Sequence, residues 1–323
     1  LPVAVEVRSL FALLSSSAIA LVVASPAAAQ PTQADPGPPV TMPVDKPKDT
    51  AKRPLEWKYQ RVTALEYGAT GALLLGFVAA DRLMKDDAPN WRGGVLFDSA
   101  AMGVGRGDSS SARDRAARVS DYLLFGMFAW PFLDVGVATA RGSADAGWQM
   151  AVINTEAFAL NGLITTVIKR TVRRERPWVA AQCNTPEGQA DPSCRDSQSF
   201  LSGHASTAFT SAGLVCAHHG ALPLYGNKIA DGAACVTALA AATATGSLRV
   251  VADKHYATDV AAGAALGLLS GYLLPKVLHY GFGSSSTPST DEAKKKKHPT
   301  VAWSAAPMAT PGGAMLSVSG VIW

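Results

Sequence analysis

Residues 198–220 read Gln-Ser-Phe-Leu-Ser-Gly-His-Ala-Ser-Thr-Ala-Phe-Thr-Ser-Ala-Gly-Leu-Val-Cys-Ala-His-His-Gly. Small and apolar residues fill the stretch without strand-type alternation, which predicts a helix over 203–220. Ser202 stands where a side chain caps that helix, and Gly203 allows close backbone approach. The free N–H groups and dipole of such a terminus favour an anion, to which the Ser202 hydroxyl can also donate. His204 beside them can give a proton to a leaving oxygen. Ordinary N-capping explains the same residues, so their meaning depends on what surrounds them.

Five further apolar segments lie around this one, at 62–82, 118–140, 147–170, 229–250 and 255–279. The fold predicted for 57–282 is therefore all-α, a six-helix bundle. Hydrophobic residues make up 48% of the 323 and charged residues 17%, below the usual quarter, which excludes a disordered chain and favours a membrane bundle. Stretches 205–227, 232–248 and 260–275 carry no Asp, Glu, Lys or Arg and read as spans, whereas Asp134 and Glu156 interrupt two other segments. A net charge of +4 gives no reason to expect nucleic acid.

At the N-terminus, Arg8, an apolar run to Val23 and small residues up to Ala29 read as an export signal over 1–29, with a first membrane helix as the alternative. Residues 30–56 read as a linker, and 283–300, with Lys294–Lys297, as a second. Val301–Ala306 and Met315–Ile322 flank Pro311-Gly312-Gly313, which predicts a small C-terminal β-hairpin over 301–323, a docking appendage.

Two other stretches carry chemistry. Lys169-Arg-Thr-Val-Arg-Arg-Glu-Arg176-Pro177 places five basic residues in eight positions, which need anionic partners if buried. On a continuing helix Lys169 and Arg176 would share a face, and Pro177 would end it. A positive flank of a membrane helix is the alternative. In Arg249-Val-Val-Ala-Asp-Lys-His255-Tyr-Ala-Thr-Asp259, His255 and Asp259 are i and i+4, so the carboxylate can hold the imidazole while its other nitrogen attacks. A plain His–Asp helix pair is the alternative, and Asp253 and Lys254 read as solvent-facing.

The ordered set Lys-x6-Arg-Pro, Ser-Gly-His and Arg-x5-His-x3-Asp resembles the type 2 phosphatidic acid phosphatase/vanadium haloperoxidase superfamily. Twenty-three residues separate Pro177 from Leu201 and forty-three separate His204 from Leu248, within the family's spacing. The resemblance implies that His255 is the nucleophile forming a phosphohistidine, that Asp259 orients it, and that His204 protonates the leaving alkoxide. It also implies that Lys169, Arg176, Ser202, Gly203 and Arg249 hold the phosphoryl oxygens, cations doing what a metal does elsewhere, so no metal or other cofactor is expected. Leu201 and Leu248 depart from the Pro and Ser usual there, which bears on loop rigidity and on one hydroxyl contact.

The expected activity is a phosphoric monoester hydrolase acting on a lipid phosphate or isoprenyl pyrophosphate at the bacterial inner membrane, its site facing the periplasm. A soluble periplasmic acid phosphatase, a vanadate-dependent haloperoxidase and a non-catalytic lipid-binding envelope protein are the other readings. A cleaved signal followed by six spanning helices would put the motifs on the cytoplasmic side, which conflicts with the periplasmic expectation. Cys183 and Cys194 in an exported chain invite a disulfide, while Cys216 and Cys235 read as small core residues. His218 and His219 read as helix-end residues, Trp178 as an interface or lipid-access residue, and Asp134 and Glu156 as partners for Arg.

Overall fold

The structure, a computed structural model, describes residues 55–85, 87–183 and 192–282, together with the backbone of 301–310 and 313–322. The export signal, most of the first linker and the whole of the second lie outside the described residues. The helical body is built from α1 (Ala64–Leu83), α2 (Asp98–Gly105), α3 (Ser110–Ala140), α4 (Ala144–Val172), α5 (Pro177–Gln182), α6 (Gly203–Ala221), α7 (Lys228–Val251) and α8 (Ala257–Tyr280). The second half of α8 is π-helical over Leu269–Leu273 and Lys276–Tyr280. The short α2 and α5 leave no mark in the hydropathy pattern, because they are too brief for a period to register. Strands β1 (Val301–Thr310) and β2 (Gly313–Ile322) pair antiparallel, Val301 opposite Ile322 and Thr310 opposite Gly313.

Local signals set the helix ends. Thr63 and Glu66 form a reciprocal capping box at α1, and Ser109, Ser143, Ser202 and Asn227 cap α3, α4, α6 and α7 through their side chains. Residues 110–118 form the first, polar turns of α3, which continues through Pro131. Proline has no N–H to give the Met127 carbonyl, and the Ser211 hydroxyl of α6 donates to that carbonyl instead.

The central helix is α6. Its Ala205, Ala208, Ala212, Leu214, Val215 and Ala217 are wholly buried against α3, α4, α7 and α8. On α8, Gly267 and Gly271 let the two backbones touch: a Cβ at Gly267 would collide with the Ser206 carbonyl oxygen, and one at Gly271 with that of Thr210. This contact fixes the register of α8 against α6. A second core, with Met150, Ile153, Leu214, Leu224 and Tyr280, closes the other end of the bundle.

The helices alternate in direction. The C-terminal ends of α4 and α7 and the N-terminal ends of α3, α6 and α8 meet at one end, covered by α2 and α5. α1 runs parallel to α4, as Arg61–Asp145 at one end and Asp81–Arg170 at the other show. Among the described residues four helices, α3, α4, α7 and α8, are long and apolar enough to cross a membrane. At 31 residues α3 is about 46 Å long, more than the ~30 Å of a bilayer core. The 205–227 stretch is not among the four, because the Ser, Thr and His that serve the interior lower its hydropathy. Large apolar side chains such as Leu75, Phe125, Leu133, Val236 and Val277 point outward.

Candidate active site

The three motifs converge at the α2–α5 end. Helix α4 stops at Val172 because Arg173 adopts a left-handed conformation (φ 48°), so Lys169 and Arg176 do not lie on one continuing helix as expected. Lys169 projects from the last turn of α4 and donates to the Gln198 carbonyl at 2.8 Å. Arg176 begins α5, with Pro177 at the first helical position. Its guanidinium pairs with Asp196 at 2.8 Å and reaches the Lys254 carbonyl.

Opposite them, Ser202 caps α6 and Gly203 is its first residue. A Cβ on Gly203 would lie 3.6 Å from Lys169 Cε and 3.9 Å from its Nζ, so the ammonium sits over the helix N-terminus. His204 Nε2 and Arg249 Nη1 meet the same carboxylate oxygen, Asp121 Oδ1, at 2.7 and 3.1 Å. Arg249 is buried, and its Nε–H has no acceptor among the described residues. An unsatisfied buried guanidinium donor suits an anionic oxygen.

His255 lies in the turn between α7 and α8 and is 1% exposed. Its Nδ1 is 2.8 Å from the Ser199 carbonyl oxygen. A carbonyl only accepts, so Nδ1 carries the proton and Nε2 keeps its lone pair for attack. Burial pushes the imidazole well below its usual pKa, and the Arg176, Lys169 and Arg249 cations push it further the same way. A neutral histidine among three cations has the right state for a nucleophile.

The expected direct contact between Asp259 and His255 is not made: Asp259 Oδ2 stands 3.8 Å from Nδ1. The carboxylate is taken by other donors, namely Arg174 Nη1 (2.6 Å), Ser199 Oγ (2.5 Å) and the Tyr256 N–H (2.9 Å). Ser199 thus links the two residues, its hydroxyl on Asp259 and its carbonyl on His255. Arg174 is wholly buried between the rings of Trp91 and Tyr256 and pairs with Asp98 as well as Asp259.

Nothing in the sequence pattern singles out Arg174, Asp98, Asp121 or Ser199. Arg174 is one member of a basic run, and the run does not tell which member is buried. Asp121 lies 83 residues from its histidine, where no spacing rule reaches.

Several other expectations are corrected. Asp253 does not face solvent: it is 2% exposed and bound by Arg106 at 2.6 Å, and Lys254 lies over the Trp178 ring. His218 and His219 are not merely helix-end residues. His218 is held by Tyr280 and Asn154, and His219 lies between Asp231 and Asp134. Asp134 therefore pairs with histidine and Tyr225 rather than with arginine. Cys216 and Cys235 form a disulfide between α6 and α7; Cys183 and Cys194 form another beside the site.

The class of protein so defined is an all-helical bundle that gathers two histidines and three cations around one helix N-terminus. The profile of the PAP2 superfamily matches residues 151–282. It includes all three motifs. No curated protein and no solved structure matches the chain. That match supports phosphatase-type activity in general.

Proposed function

We propose that the chain is a metal-independent phosphoric monoester hydrolase working through a phosphohistidine on His255. The observation that carries the reading is the buried, neutral His255 with Nδ1–H tied to the Ser199 carbonyl, in the field of Lys169, Arg176 and Arg249. Burial and Arg249 hold the His204 pKa down to about 4 in the free protein, so the acidic proton of the bound phosphate monoanion passes to it. His255 Nε2 attacks phosphorus, the bond from phosphorus to the ester oxygen breaks, and His204 delivers that proton to the departing alkoxide. His204, now neutral, takes a proton from water as that water attacks the phosphohistidine. Phosphate leaves, and both histidines return to their starting states. Lys169, Arg176, Arg249, Ser202 and the Gly203 N–H hold the equatorial oxygens, whose charge grows in the transition state. Asp259 acts on His255 through Ser199.

The substrate we infer is a lipid phosphate, in an exported inner-membrane protein whose site faces the periplasm. The four long apolar helices and the outward Leu, Phe and Val side chains support the membrane, and the Cys183–Cys194 disulfide supports an oxidising compartment at the site. One observation favours a second reading. The Cys216–Cys235 disulfide lies about 20 Å along α6 from the site, toward the other end of the bundle, so both ends carry an oxidised pair. That suits a body held wholly in the periplasm, which osmotic shock would release.

The test is phosphate release in EDTA from a lipid phosphate and from p-nitrophenyl phosphate, beside His255→Ala. Acid-labile phosphate trapped on the wild-type chain and absent from the variant is the expected result. Release that survives His255→Ala, or that EDTA stops, overturns it.

A further inference from the structure

The chain passes from α7 into α8 through residues 252–256, and His255 sits in that turn. Asp253, two residues before the nucleophile, has φ 62°, a left-handed conformation that strains a residue with a Cβ, though Asp bears it better than most. The residue is 2% exposed. Its Oδ2 accepts from both Nε (2.9 Å) and Nη2 (2.6 Å) of Arg106, while the buried Oδ1 meets no donor among the described residues.

Stability alone does not call for this carboxylate. Glycine takes up the left-handed conformation without strain and would bury no half-paired charge. What only the carboxylate supplies is a tie from the His255 turn to Arg106. Arg106 opens the linker 106–109 between α2 and α3, and this linker lies against the end of α7. The Gly107 N–H donates to the Val251 carbonyl at 3.0 Å, and Arg113 Nη1 of α3 holds the Gly107 carbonyl at 2.8 Å. A Cβ on Gly107 would stand 3.1 Å from the same Val251 oxygen, so the contact is close. Helix α5 holds the turn as well: the Trp178 N–H donates to the Asp253 carbonyl, and Arg176 Nη1 to the Lys254 carbonyl. The Ser199 carbonyl fixes the imidazole ring; these other contacts fix the main chain that carries it.

We propose that Arg106 and Asp253 are positioning residues for the nucleophile, their ion pair fastening the His255 turn to the α2–α3 linker at the place from which Nε2 reaches phosphorus. The proposal rests on the phosphatase reading. Neither residue is among the groups that hold the phosphoryl oxygens, so the pair acts through His255. Attack on phosphorus tolerates little displacement, since a shift of about 1 Å can cost about a hundredfold in rate.

Arg106→Met, Asp253→Gly and the double variant all remove the tie. Asp253→Asn keeps an oxygen for Arg106 in a residue that also bears the left-handed backbone. The double variant buries no unpaired charge and leaves the turn unstrained. Melting is checked for every variant. If the double variant fails to fold, Asp253→Gly, which leaves only a partly exposed arginine without its partner, gives the same comparison.

Three quantities are read from the full chain in phosphatidylcholine nanodiscs. The kcat/KM on p-nitrophenyl phosphate reports phosphorylation of His255, and the affinity for inorganic phosphate reports the cationic cradle. The ring-nitrogen NMR signals of His255, located by their absence from His255→Gln, report how the imidazole is held. We expect the double variant to lose about tenfold or more in kcat/KM while its phosphate affinity stays within about twofold. Its His255 signals should move away from those of the Nδ1–H tautomer. Each single variant that breaks the tie should lose about as much as the double, and Asp253→Asn should recover most of the loss. Wild-type kcat/KM with unmoved ring signals in the folded double variant overturns the proposal. A parallel loss of phosphate affinity also overturns it, because the pair would then hold the cradle and not the nucleophile. A wild-type chain that hydrolyses no ester, but whose His255 signals move in the double variant, overturns the phosphatase reading and leaves the positioning of His255 standing.

Discussion

Arg174 Nη1 lies 2.6 Å from Asp259 Oδ1, and neither side chain has any exposed surface. The same guanidinium pairs with Asp98 at 2.7 Å and is sandwiched between Trp91 and Tyr256. Two buried carboxylates on different helices thus share one cation, which joins α2 to the start of α8. Removing it leaves both carboxylates buried without a cation, held only by neutral donors, so Arg174→Met should cost about 3–5 kcal/mol of stability. Arg174→Lys should recover only part of that, since an ammonium cannot make the forked contacts. Chemical denaturation of the two variants measures both effects.

Leaving-group chemistry separates the two histidines. His255→Ala should abolish turnover on every ester. His204→Ala should lower turnover of an alkyl phosphate by roughly 10²–10⁴-fold, the usual range for a lost general acid. On p-nitrophenyl phosphate the loss should be much smaller, because nitrophenolate leaves without a proton. The kcat/KM values on the two substrates, which report phosphorylation of His255 and not the later attack of water, decide it; equal losses in kcat/KM would remove His204 from the acid role.

The pH profile follows from the depressed His255. A nucleophile must be neutral, and burial together with Arg176, Lys169 and Arg249 keeps this imidazole neutral well below its ordinary pKa of 6.5. The acid limb of kcat/KM that reports His255 should therefore fall well below pH 6.5. Taking away one of the cations, as in Arg176→Ala, should move that limb upward. A limb at 6.5 in wild type would mean that the histidine titrates as if exposed.

Backbone contact between α6 and α8 leaves no room for a side chain at Gly271. Gly271→Val should prevent the native bundle from forming, since its Cβ would run into the Thr210 carbonyl oxygen. Gly68, where an added Cβ would meet nothing within 4 Å, should accept alanine with little change. Size-exclusion profiles and thermal melts of both variants provide the comparison.

Disulfide removal should act on stability more than on turnover. Opening Cys216–Cys235, which closes a loop of about 18 residues, should cost roughly 3 kcal/mol if loop-closure entropy governs it. Melting Cys216→Ser/Cys235→Ser beside wild type tests the figure.

The helical body was legible because period and composition are local properties, and because Ser202, Asn227 and the other caps announce the helix ends. The motif residues were legible for the same reason: Lys169, Arg176, Ser202, Gly203, His204, Arg249, His255 and Asp259 each sit in a short run with its own chemistry. What escaped depends on distant pairing. Asp121 meets His204 and Arg249 across 83 and 128 residues, and Arg174 meets Asp98 across 76. The i, i+4 rule gave the correct neighbours in His255 and Asp259 yet missed that Ser199 outcompetes the direct bond. The Cys216–Cys235 pair escaped because apolar surroundings suggest packing and say nothing of what lies across the helix interface.

The glycine contact between α6 and α8 also tells a protein engineer where this molecule can be rewritten. His204 rides on α6 and the His255 turn leads straight into α8, so the spacing of the two histidines is held by main chain against main chain. The outward Leu75, Phe125, Leu133, Val236 and Val277 take no part in it. Those positions can be exchanged for Glu, Lys or Gln to make a detergent-free version of the bundle, while Gly267 and Gly271 keep the two histidines in step.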